Sequence, residues 1–138
     1  MKKIFLDTNI LLDVLLQRDS FMQNSARVWA ECESGKVKGF ISAISLNNMH
    51  FIMSKRIGKD RALESVRICL SVFSVVPLDE KILRLAVELP HKDFEDAIQL
   101  FSAVQMKVDC IVTRDAGHFS SEYLPILSPG QYADLSTD

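Results

Sequence analysis

The stretch Lys2–Leu16, KKIFLDTNILLDVLL, sets a carboxylate at the point where an apolar run ends. Residues 2–6 have the composition of a buried strand, and Asp7 follows them directly. Asp is disfavoured in strands, and its carboxylate is costly to bury without a partner. Two interpretations follow. Asp7 caps the helix that the apolar spacing predicts over residues 10–17, or it is a functional group at a strand end.

Strand and helix patterns alternate along the rest of the chain. Short apolar runs predict further strands at 37–45, 74–78, 109–113 and 123–127. Helical spacing of apolar residues predicts further helices over 19–35, 46–56, 59–73, 80–89 and 92–106. Asp19 or Ser20 is expected to cap the first of these helices, and Gly35 to end it. The alternation predicts an α/β layer fold with a mostly parallel sheet.

Length and composition are those of one globular domain, with 138 residues, 48% apolar and 25% charged. We expect this domain to span residues 1–138, with a core over about 2–128 and a short polar tail. The net charge of −2 excludes a strong overall attraction for nucleic acid, though not a local basic patch. No apolar stretch is long enough for a membrane span, and acidic residues interrupt the segment after the basic start, so we expect neither an anchor nor a signal peptide. Three widely spaced cysteines without a Cys-x-x-Cys pair are typical of free thiols in the cytoplasm.

Acidic side chains are expected to meet at one edge of the sheet. In an open α/β sheet, functional groups gather outside the carboxyl ends of the strands. Asp7 and Asp115 follow strands, and Asp96 lies in the helix that leads into the strand 109–113. Two carboxylates about 5 Å apart repel by roughly 3 kcal/mol at an effective dielectric of about 20, so three such pairs cost on the order of 10 kcal/mol. Proton uptake or a divalent cation relieves this repulsion, and Asp oxygens suit Mg²⁺ or Mn²⁺. The pattern therefore indicates a metal-dependent phosphodiester hydrolase.

Each acid also has a purely structural explanation. Asp93 stands where the N-cap of its helix is expected, with Asp96 three residues on, as in a capping box. Asp115 lies in the loop 114–119, where turn chemistry alone accounts for an Asp. We expect Glu95 to be solvated. Three further acids are interpreted as helix-surface or capping residues without chemistry, namely Asp13, Asp60 and Asp79.

Four segments, in this order, resemble the motifs of the PIN domain, and most closely those of bacterial VapC-type toxins: IFLDTNILLDVLL, FISAISLNNM, DFEDAIQLFSAVQ and CIVTRDAGHF. The resemblance covers roughly residues 2–128. It implies a three-layer α/β/α sandwich around a parallel sheet of about five strands. It also implies an Mg²⁺- or Mn²⁺-dependent ribonuclease in which Asp7 is the first metal ligand, Asp96 the third acid and Asp115 the fourth. The side chains that would orient the ligands or water through hydrogen bonds are Thr8, Asn9, Ser42 and Thr113.

One position departs from the family pattern. After the second strand the family usually has a Glu in a Ser-x-x-Thr/Ser-x-x-Glu frame, whereas this chain has Asn48. An amide oxygen can ligate an ion or hold a bound water but brings no charge, so we expect weaker metal binding. Asp93, one helical turn from Asp96, is a candidate catalytic acid that compensates. We therefore expect one Mg²⁺ or Mn²⁺ on the three acids, with Asp93 and Asn48 contributing through water.

Cationic side chains are expected beside the acids, because an RNA substrate carries phosphate. Arg114 adjoins Asp115, and the segment 55–61, KRIGKDR, carries four basic residues. They would contact phosphate rather than read bases, and a solvated charged turn is the alternative for 55–61. His118 is expected to be a surface loop histidine. The toxin resemblance further implies a cognate antitoxin that occludes the acids and, in many members, a homodimer.

Two other classes of enzyme also place an Asp at a strand end. Haloacid-dehalogenase-like phosphatases need a second Asp two residues later, where this chain has Asn9. Response-regulator receivers need a paired acid and a late Lys, and neither arrangement is present in the sequence. A different alternative is a PIN-like module that binds RNA or a protein partner without useful catalysis, because the usual Glu is missing. Metal-dependent cleavage of RNA separates the catalytic interpretation from this one.

Overall fold

The computed structural model describes residues 2–18, 20–89, 93–119 and 121–135. Within these residues, five parallel strands form one sheet in the order β3-β2-β1-β4-β5. The strands are β1 (Lys3–Leu6), β2 (Lys38–Ser42), β3 (Ser74–Val76), β4 (Cys110–Val112) and β5 (Ile126–Leu127). The predicted α/β class is confirmed, with a sheet that is parallel throughout.

Helices connect the strands. In chain order they are α1 (Thr8–Leu15), α2 (Met22–Ser34), α3 (Ala43–Ile57), α4 (Lys59–Val72), α5 (Glu80–Val87), α6 (Phe94–Gln105) and α7 (Pro129–Leu135), with a short 3-10 helix at Ala116–His118. Gly35 ends α2 as predicted, in the left-handed conformation with φ of 83°. The Asp79 carboxylate caps α5 by accepting a hydrogen bond from the Ile82 N–H at 2.9 Å. Among the described residues, no helix is both long enough and apolar enough to cross a membrane.

Alternate side chains of β1 point to opposite faces of the sheet, and each face carries its own apolar core. Ile4 and Leu6 pack with buried residues of α1, α2, α3, α4 and α7. Phe5 packs on the other face with buried residues of α5 and α6. All three side chains are fully buried, which explains why β1 is a continuous apolar run rather than an alternating one. Helices on both faces of the sheet make the three-layer α/β/α arrangement that was predicted.

The strand order creates a crevice beside the end of β1. This strand pairs with β2 on one side and with β4, much later in the chain, on the other. The strand order thus reverses between β1 and β4, and open α/β sheets bind ligands at such a topological switch point. Asp7 lies at this point, and its N–H donates a hydrogen bond to the Val112 carbonyl at 3.1 Å.

Two helix starts differ from the sequence predictions. Strand character was predicted over 37–45 with the strand end near Ser42, and β2 does end at Ser42. The Ser42 side chain accepts a hydrogen bond from the Ser45 N–H at 3.1 Å and starts α3 there, before the predicted helix start at residue 46. The predicted Ser20 cap of α2 is wrong, since that helix begins after Phe21 without a side-chain cap. The alternative cap, Asp19, lies outside the described residues.

The predicted polar tail contains a helix, α7, which was not predicted from the sequence. It packs against α2 and buries Tyr132 and Ala133. The Tyr132 hydroxyl donates a hydrogen bond to Glu31 at 3.0 Å. The tail is therefore part of the layer of helices on that face of the sheet.

Candidate active site

Asp7 lies at the end of β1 and is only 5% exposed. Thr113, directly after β4, donates a hydrogen bond from its Oγ1 to Asp7 Oδ2 at 2.8 Å. Burial is the main reason that the pKa of Asp7 is raised, and the hydrogen bond from Thr113 opposes it. Asp7 occupies the N-cap position of α1 without a side-chain capping bond, so capping does not account for its carboxylate.

Asp115 is tied to the same strand ends by two hydrogen bonds. Its N–H donates to Thr113 Oγ1 at 3.0 Å. Asn9 Nδ2, in the first turn of α1, donates to Asp115 Oδ2 at 3.3 Å. Thr113 therefore bridges the carboxylate of Asp7 and the backbone of Asp115, with its hydroxyl as donor to one and acceptor from the other.

The start of α6 contributes two more acids. Asp93 caps this helix, with Oδ1 accepting hydrogen bonds from the N–H groups of Glu95 at 2.9 Å and Asp96 at 3.2 Å. Burial is the largest of the causes that raise the pKa of Asp96 to about 6. The charges of Asp93 and Asp7 act in the same direction. His118, whose Nδ1 is 3.8 Å from Asp96 Oδ2, opposes them.

A chain of buried hydroxyl and amide groups leads to Asp7. Thr8 Oγ1 donates to Ser45 Oγ at 2.8 Å, and Ser45 Oγ lies 3.0 Å from Ser42 Oγ and donates to Gln99 Oε1 at 3.4 Å. The Gln99 side chain also acts on the Asp7 carboxylate and lowers its pKa. Thr8 and Ser42 were predicted from the sequence, whereas Ser45 and Gln99 were not. The sequence signal that could have revealed these two residues is their spacing. Ser45 follows Ser42 by three positions and Gln99 follows Asp96 by three positions, and residues three apart are neighbours on a helix surface.

Part of this arrangement borders one groove of about 620 Å³. Asp115 is not among the residues that line it, although Asn9, which donates a hydrogen bond to Asp115, is. Asp7, Asp93 and Asp96 line it, together with Asn48 and Phe51 of α3. Phe51 is 60% exposed, so the groove has an acidic part and an apolar part that is open to solvent. The position at which the chain departs from the PIN pattern, Asn48, thus faces the same space as the acids.

The amino-acid sequence matches the family model of the PIN domain over residues 3–117. The chain belongs to the PIN domain family. This match confirms the resemblance drawn from the four sequence segments. No curated protein is similar enough in sequence to count as a relative.

Several solved structures share this PIN fold. The DNA-bound VapBC of Salmonella typhimurium is 18% identical, with a TM-score of 0.72 over 94% of this chain and 99% of that chain. FitAcB from Neisseria gonorrhoeae is 17% identical, with a TM-score of 0.70 over 92% and 98% of the two chains. VapC20 of Mycobacterium tuberculosis, described as a toxin that cleaves the sarcin-ricin loop, is 19% identical, with a TM-score of 0.63 over 87% and 92%. At these identities the likeness establishes the fold alone.

Arg114 is not among the residues that line the groove. Its Nε lies 2.9 Å from Asp13 Oδ2, and its guanidinium stacks on Phe21 with 3.8 Å between Cζ and the ring centroid. This placement does not favour the predicted contact between Arg114 and substrate. The prediction that Asp13 lies on a helix surface is wrong, because its side chain is fully buried among polar partners. Glu95, expected to be solvated, is partly buried and lines the groove.

The donor chemistry of the groove, together with Asp115 beside it, fits a divalent cation. Asp7, Asp96 and Asp115 offer carboxylate oxygens, the ligands that Mg²⁺ and Mn²⁺ prefer. Burial is the main cause that raises the pKa of Asp7 and of Asp96, and the charge of Asp115 adds to the first shift and the charge of Asp7 to the second. Their side chains are not gathered into ligand geometry. In the ranges that the structure describes, no three His, Cys, Asp or Glu side chains are placed to hold an ion.

Proposed function

We propose that this PIN domain is a metal-dependent ribonuclease that hydrolyses RNA phosphodiester bonds, and that it is the toxin of a toxin–antitoxin pair. The observation that carries the proposal is that Thr113 joins Asp7 to Asp115 at the ends of β1 and β4, while Asp7 shares one groove with Asp96 of α6. Proton uptake or a cation relieves the repulsion among neighbouring acids, and a cation held by carboxylates is suited to phosphodiester hydrolysis.

Asp7, Asp96 and Asp115 would hold the Mg²⁺ or Mn²⁺. When bound, the ion would neutralise these acids, lower the pKa of a water and stabilise negative charge on phosphate. Thr113 fixes one oxygen of Asp7, and Asn9 fixes one oxygen of Asp115, so these two acids have a defined orientation before substrate arrives.

Two groups support this site less directly. Asp93 uses Oδ1 to cap α6, which leaves its second oxygen for a bound water. Asn48 lines the groove and offers an amide oxygen in place of the family's usual carboxylate. We therefore assign both residues contacts through water and expect affinity for the ion to be lower than with a Glu at position 48.

The approach of RNA is supported by the α3 side of the groove. Lys55 Nζ lies 4.2 Å from the centroid of the Phe51 ring, which itself lines the groove. Lys55 therefore joins the basic segment 55–61 to the groove, and we assign it phosphate contacts. Arg114, held by Asp13, is not needed for this role.

A cognate antitoxin is the protein partner that the structural likeness supports, since the similar structures include the VapBC and FitAcB assemblies. We place the pair in the cytoplasm, where its RNA substrate is found and where three free, buried cysteines stay reduced. A homodimer, frequent among VapC-type toxins, is part of the same proposal.

Incubation with a mixed RNA pool and millimolar Mn²⁺ or Mg²⁺ tests the activity. The wild type should cleave, chelation should stop cleavage, and Asp7→Asn should reduce the rate by more than about 100-fold, because the groove loses a ligand worth several kcal/mol. Glu33→Gln, an exposed carboxylate of α2, is the matched control and should cleave like the wild type. A rate that is the same in the wild type and Asp7→Asn would reject the proposed activity.

A second candidate, a PIN domain that binds RNA or a protein without cleaving RNA, is favoured by Asn48 alone. Asn48→Glu restores the family's charge and discriminates between the two candidates. If the wild type binds Mn²⁺ and cleaves, Asn48→Glu should raise both Mn²⁺ affinity and rate. If the wild type binds RNA without cleaving it and only Asn48→Glu cleaves, the non-catalytic candidate is correct.

A further inference from the structure

Asp13 of α1 is a fully buried carboxylate that does not line the groove. Ser25 Oγ donates a hydrogen bond to its Oδ2 at 3.1 Å, and Arg18 Nη1 donates to its Oδ1 at 3.4 Å. Arg114 Nε lies 2.9 Å from Oδ2 without hydrogen-bond alignment, so this contact is an ion pair. One buried negative charge thus holds two partly exposed guanidinium groups.

The first of these guanidinium groups leads to the carboxylate of Asp115. Arg18 Nη1 donates to Asn9 Oδ1 at 3.3 Å as well as to Asp13. A guanidinium has only donors, so the Asn9 amide must turn its oxygen toward Arg18 and its NH₂ group the other way. That NH₂ group is the one that donates to Asp115 Oδ2 at 3.3 Å. Arg18 therefore selects the amide orientation that holds Asp115.

The second guanidinium group holds the backbone beside Asp115. Arg114 precedes Asp115 in the chain, and its side chain is 20% exposed, between Asp13 and the face of Phe21. The stacking distance of 3.8 Å to the Phe21 ring adds a cation–π contact to the ion pair. With its side chain held in this way, Arg114 restrains the loop from which Asp115 projects.

Stability alone is a weak reason for such a cluster. A buried ion pair gains little over well-packed apolar residues, because desolvation offsets most of the attraction. The two arms from Asp13, through Arg18 and through Arg114, both end at Asp115. This convergence calls for a role at Asp115.

We propose that Asp13 is a positioning residue that sets the carboxylate of Asp115 through Arg18 and Asn9 on one arm and through Arg114 on the other. The proposal rests on the ribonuclease function proposed above, in which Asp115 is a metal ligand. Asp13 itself touches neither the ion nor the RNA. It acts by keeping Asp115 in one orientation.

Asp13→Asn tests this role because it keeps the size of the side chain and removes the charge. The value of kcat for RNA cleavage should fall about 10–100-fold with little change in KM, and the affinity for Mn²⁺ should fall by a similar factor. Ser25→Ala is the matched control, since it removes a partner of Asp13 that does not lead to Asp115. It should lower the melting temperature while leaving kcat and Mn²⁺ affinity unchanged.

Hydrogen exchange at the Asp115 amide gives a readout that does not depend on activity. This N–H donates to Thr113 Oγ1, and its exchange should become about 10-fold faster in Asp13→Asn but not in Ser25→Ala. Should Asp13→Asn fail to fold, Arg18→Gln, whose side chain is 28% exposed in the wild type, tests one arm in the same way.

The outcomes separate the two proposals. Absence of RNA cleavage and Mn²⁺ binding in the wild type rejects the ribonuclease, whereas faster exchange at Asp115 in the variant still supports the positioning role. Unchanged exchange, kcat and Mn²⁺ affinity in a folded Asp13→Asn or Arg18→Gln would overturn the positioning role, whatever the activity of the wild type.

Discussion

Asp96 illustrates how burial and neighbouring charge act on one side chain of the groove. Burial is the largest cause of a pKa of about 6, and the charges of Asp93, Asp7 and Glu95 add to it, while His118 opposes them. At neutral pH the side chain is therefore ionised at a free-energy cost that the unfolded chain does not bear. A cation in the groove would remove that cost.

The stability of the metal-free protein should fall as the pH rises from about 4 to about 6 through this group. The ordinary pKa of an Asp side chain is 3.8, and burial raises that of Asp96 to about 6 in the folded chain, so the folded state binds more protons over this interval. Asp96→Asn removes the titration and should be more stable than the wild type by roughly 2 kcal/mol at pH 7.5, but not at pH 4. Urea unfolding with a chelator at both pH values measures the difference. A difference that does not change with pH would contradict this prediction.

Thr113 is the residue at which loss of a single hydroxyl should matter most. Its Oγ1 donates to Asp7 and accepts from the Asp115 N–H, so Thr113→Val leaves both groups without this partner at nearly constant volume. We expect RNA cleavage to fall about 10–100-fold and the pKa of Asp7 to rise further. Thr113→Ser keeps the hydroxyl and should retain most of the activity. Equal rates for the Ser and Val variants would show that the bridge has no function.

The site residues that could be predicted from the sequence are those that stand at the end of a strand or the start of a helix. Asp7 follows an apolar strand, and Asp96 begins a helix, so both are visible in the sequence. Asp13 and Gln99 were not identified, because a polar residue in an amphipathic helix usually faces solvent and only packing shows otherwise. Arg114 was assigned to substrate for the opposite reason, since the sequence does not reveal the buried partner that binds it.

Among the secondary-structure elements, β2 packs tightly against a helix at its one glycine. A Cβ placed on Gly39 would lie 2.6 Å from Cys32 Sγ of α2 and 2.9 Å from Phe73 Cδ1. Only a residue without a side chain lets α2 and the end of α4 pack this closely on the strand.

Gly39→Ala should therefore destabilise the fold by about 1–3 kcal/mol through overpacking. Cys32→Ala in the same chain removes the Sγ atom and should restore part of the loss. Gly117→Ala, whose Cβ would meet no heavy atom within 4 Å, is the control and should change the free energy of unfolding little. Urea unfolding measures all of these variants. A Gly39→Ala variant as stable as Gly117→Ala would mean that the packing relaxes without cost.

The helix α7 shows what sequence periodicity misses at this scale. Its buried residues are Pro129, Tyr132 and Ala133, and one such i, i+3, i+4 set that begins with a proline is too short to predict a helix from periodicity. The fold supplies the missing information, because α2 presents Glu31 to the Tyr132 hydroxyl at 3.0 Å.

Two substitutions at Tyr132 should separate what its ring contributes to stability by packing from what its hydroxyl contributes by hydrogen bonding. Tyr132→Phe keeps the ring and loses the bond to Glu31, so we expect a loss of about 1 kcal/mol. Tyr132→Ala also leaves a cavity beneath α7 and should cost about 3–5 kcal/mol. Chemical unfolding of both variants, with the wild type as reference, gives the two values. Equal losses would mean that the ring contributes nothing to the core.

For the whole molecule, the alternation of elements predicted the class, and the strand order explains why the acids meet. Residues 7 and 115 are far apart in the chain, but β1 and β4 are neighbours and parallel, so their carboxyl ends share one edge. The sequence alone does not give strand order or side-chain direction. For that reason the sequence predicted that the acids lie at the carboxyl ends of the strands, but it did not predict the hydrogen bonds and ion pairs that link Asp13 to Asp115.

The three thiols provide a test of how cooperatively this structure opens. Cys32, Cys69 and Cys110 belong to one apolar core on the same face of the sheet as α2 and α4. Burial raises the pKa of Cys32 and Cys69 to about 12 and that of Cys110 to about 11. At pH 8 these values leave roughly one thiol in 10³–10⁴ ionised, and the thiolate is the reactive form.

Alkylation in native buffer should therefore be at least about 1,000-fold slower than in urea, and all three sites should react together, at the rate set by opening of their shared core. Mass spectrometry of partly alkylated protein should find molecules with no label or three labels. A prominent singly labelled species would show instead that one helix leaves the core independently of the rest.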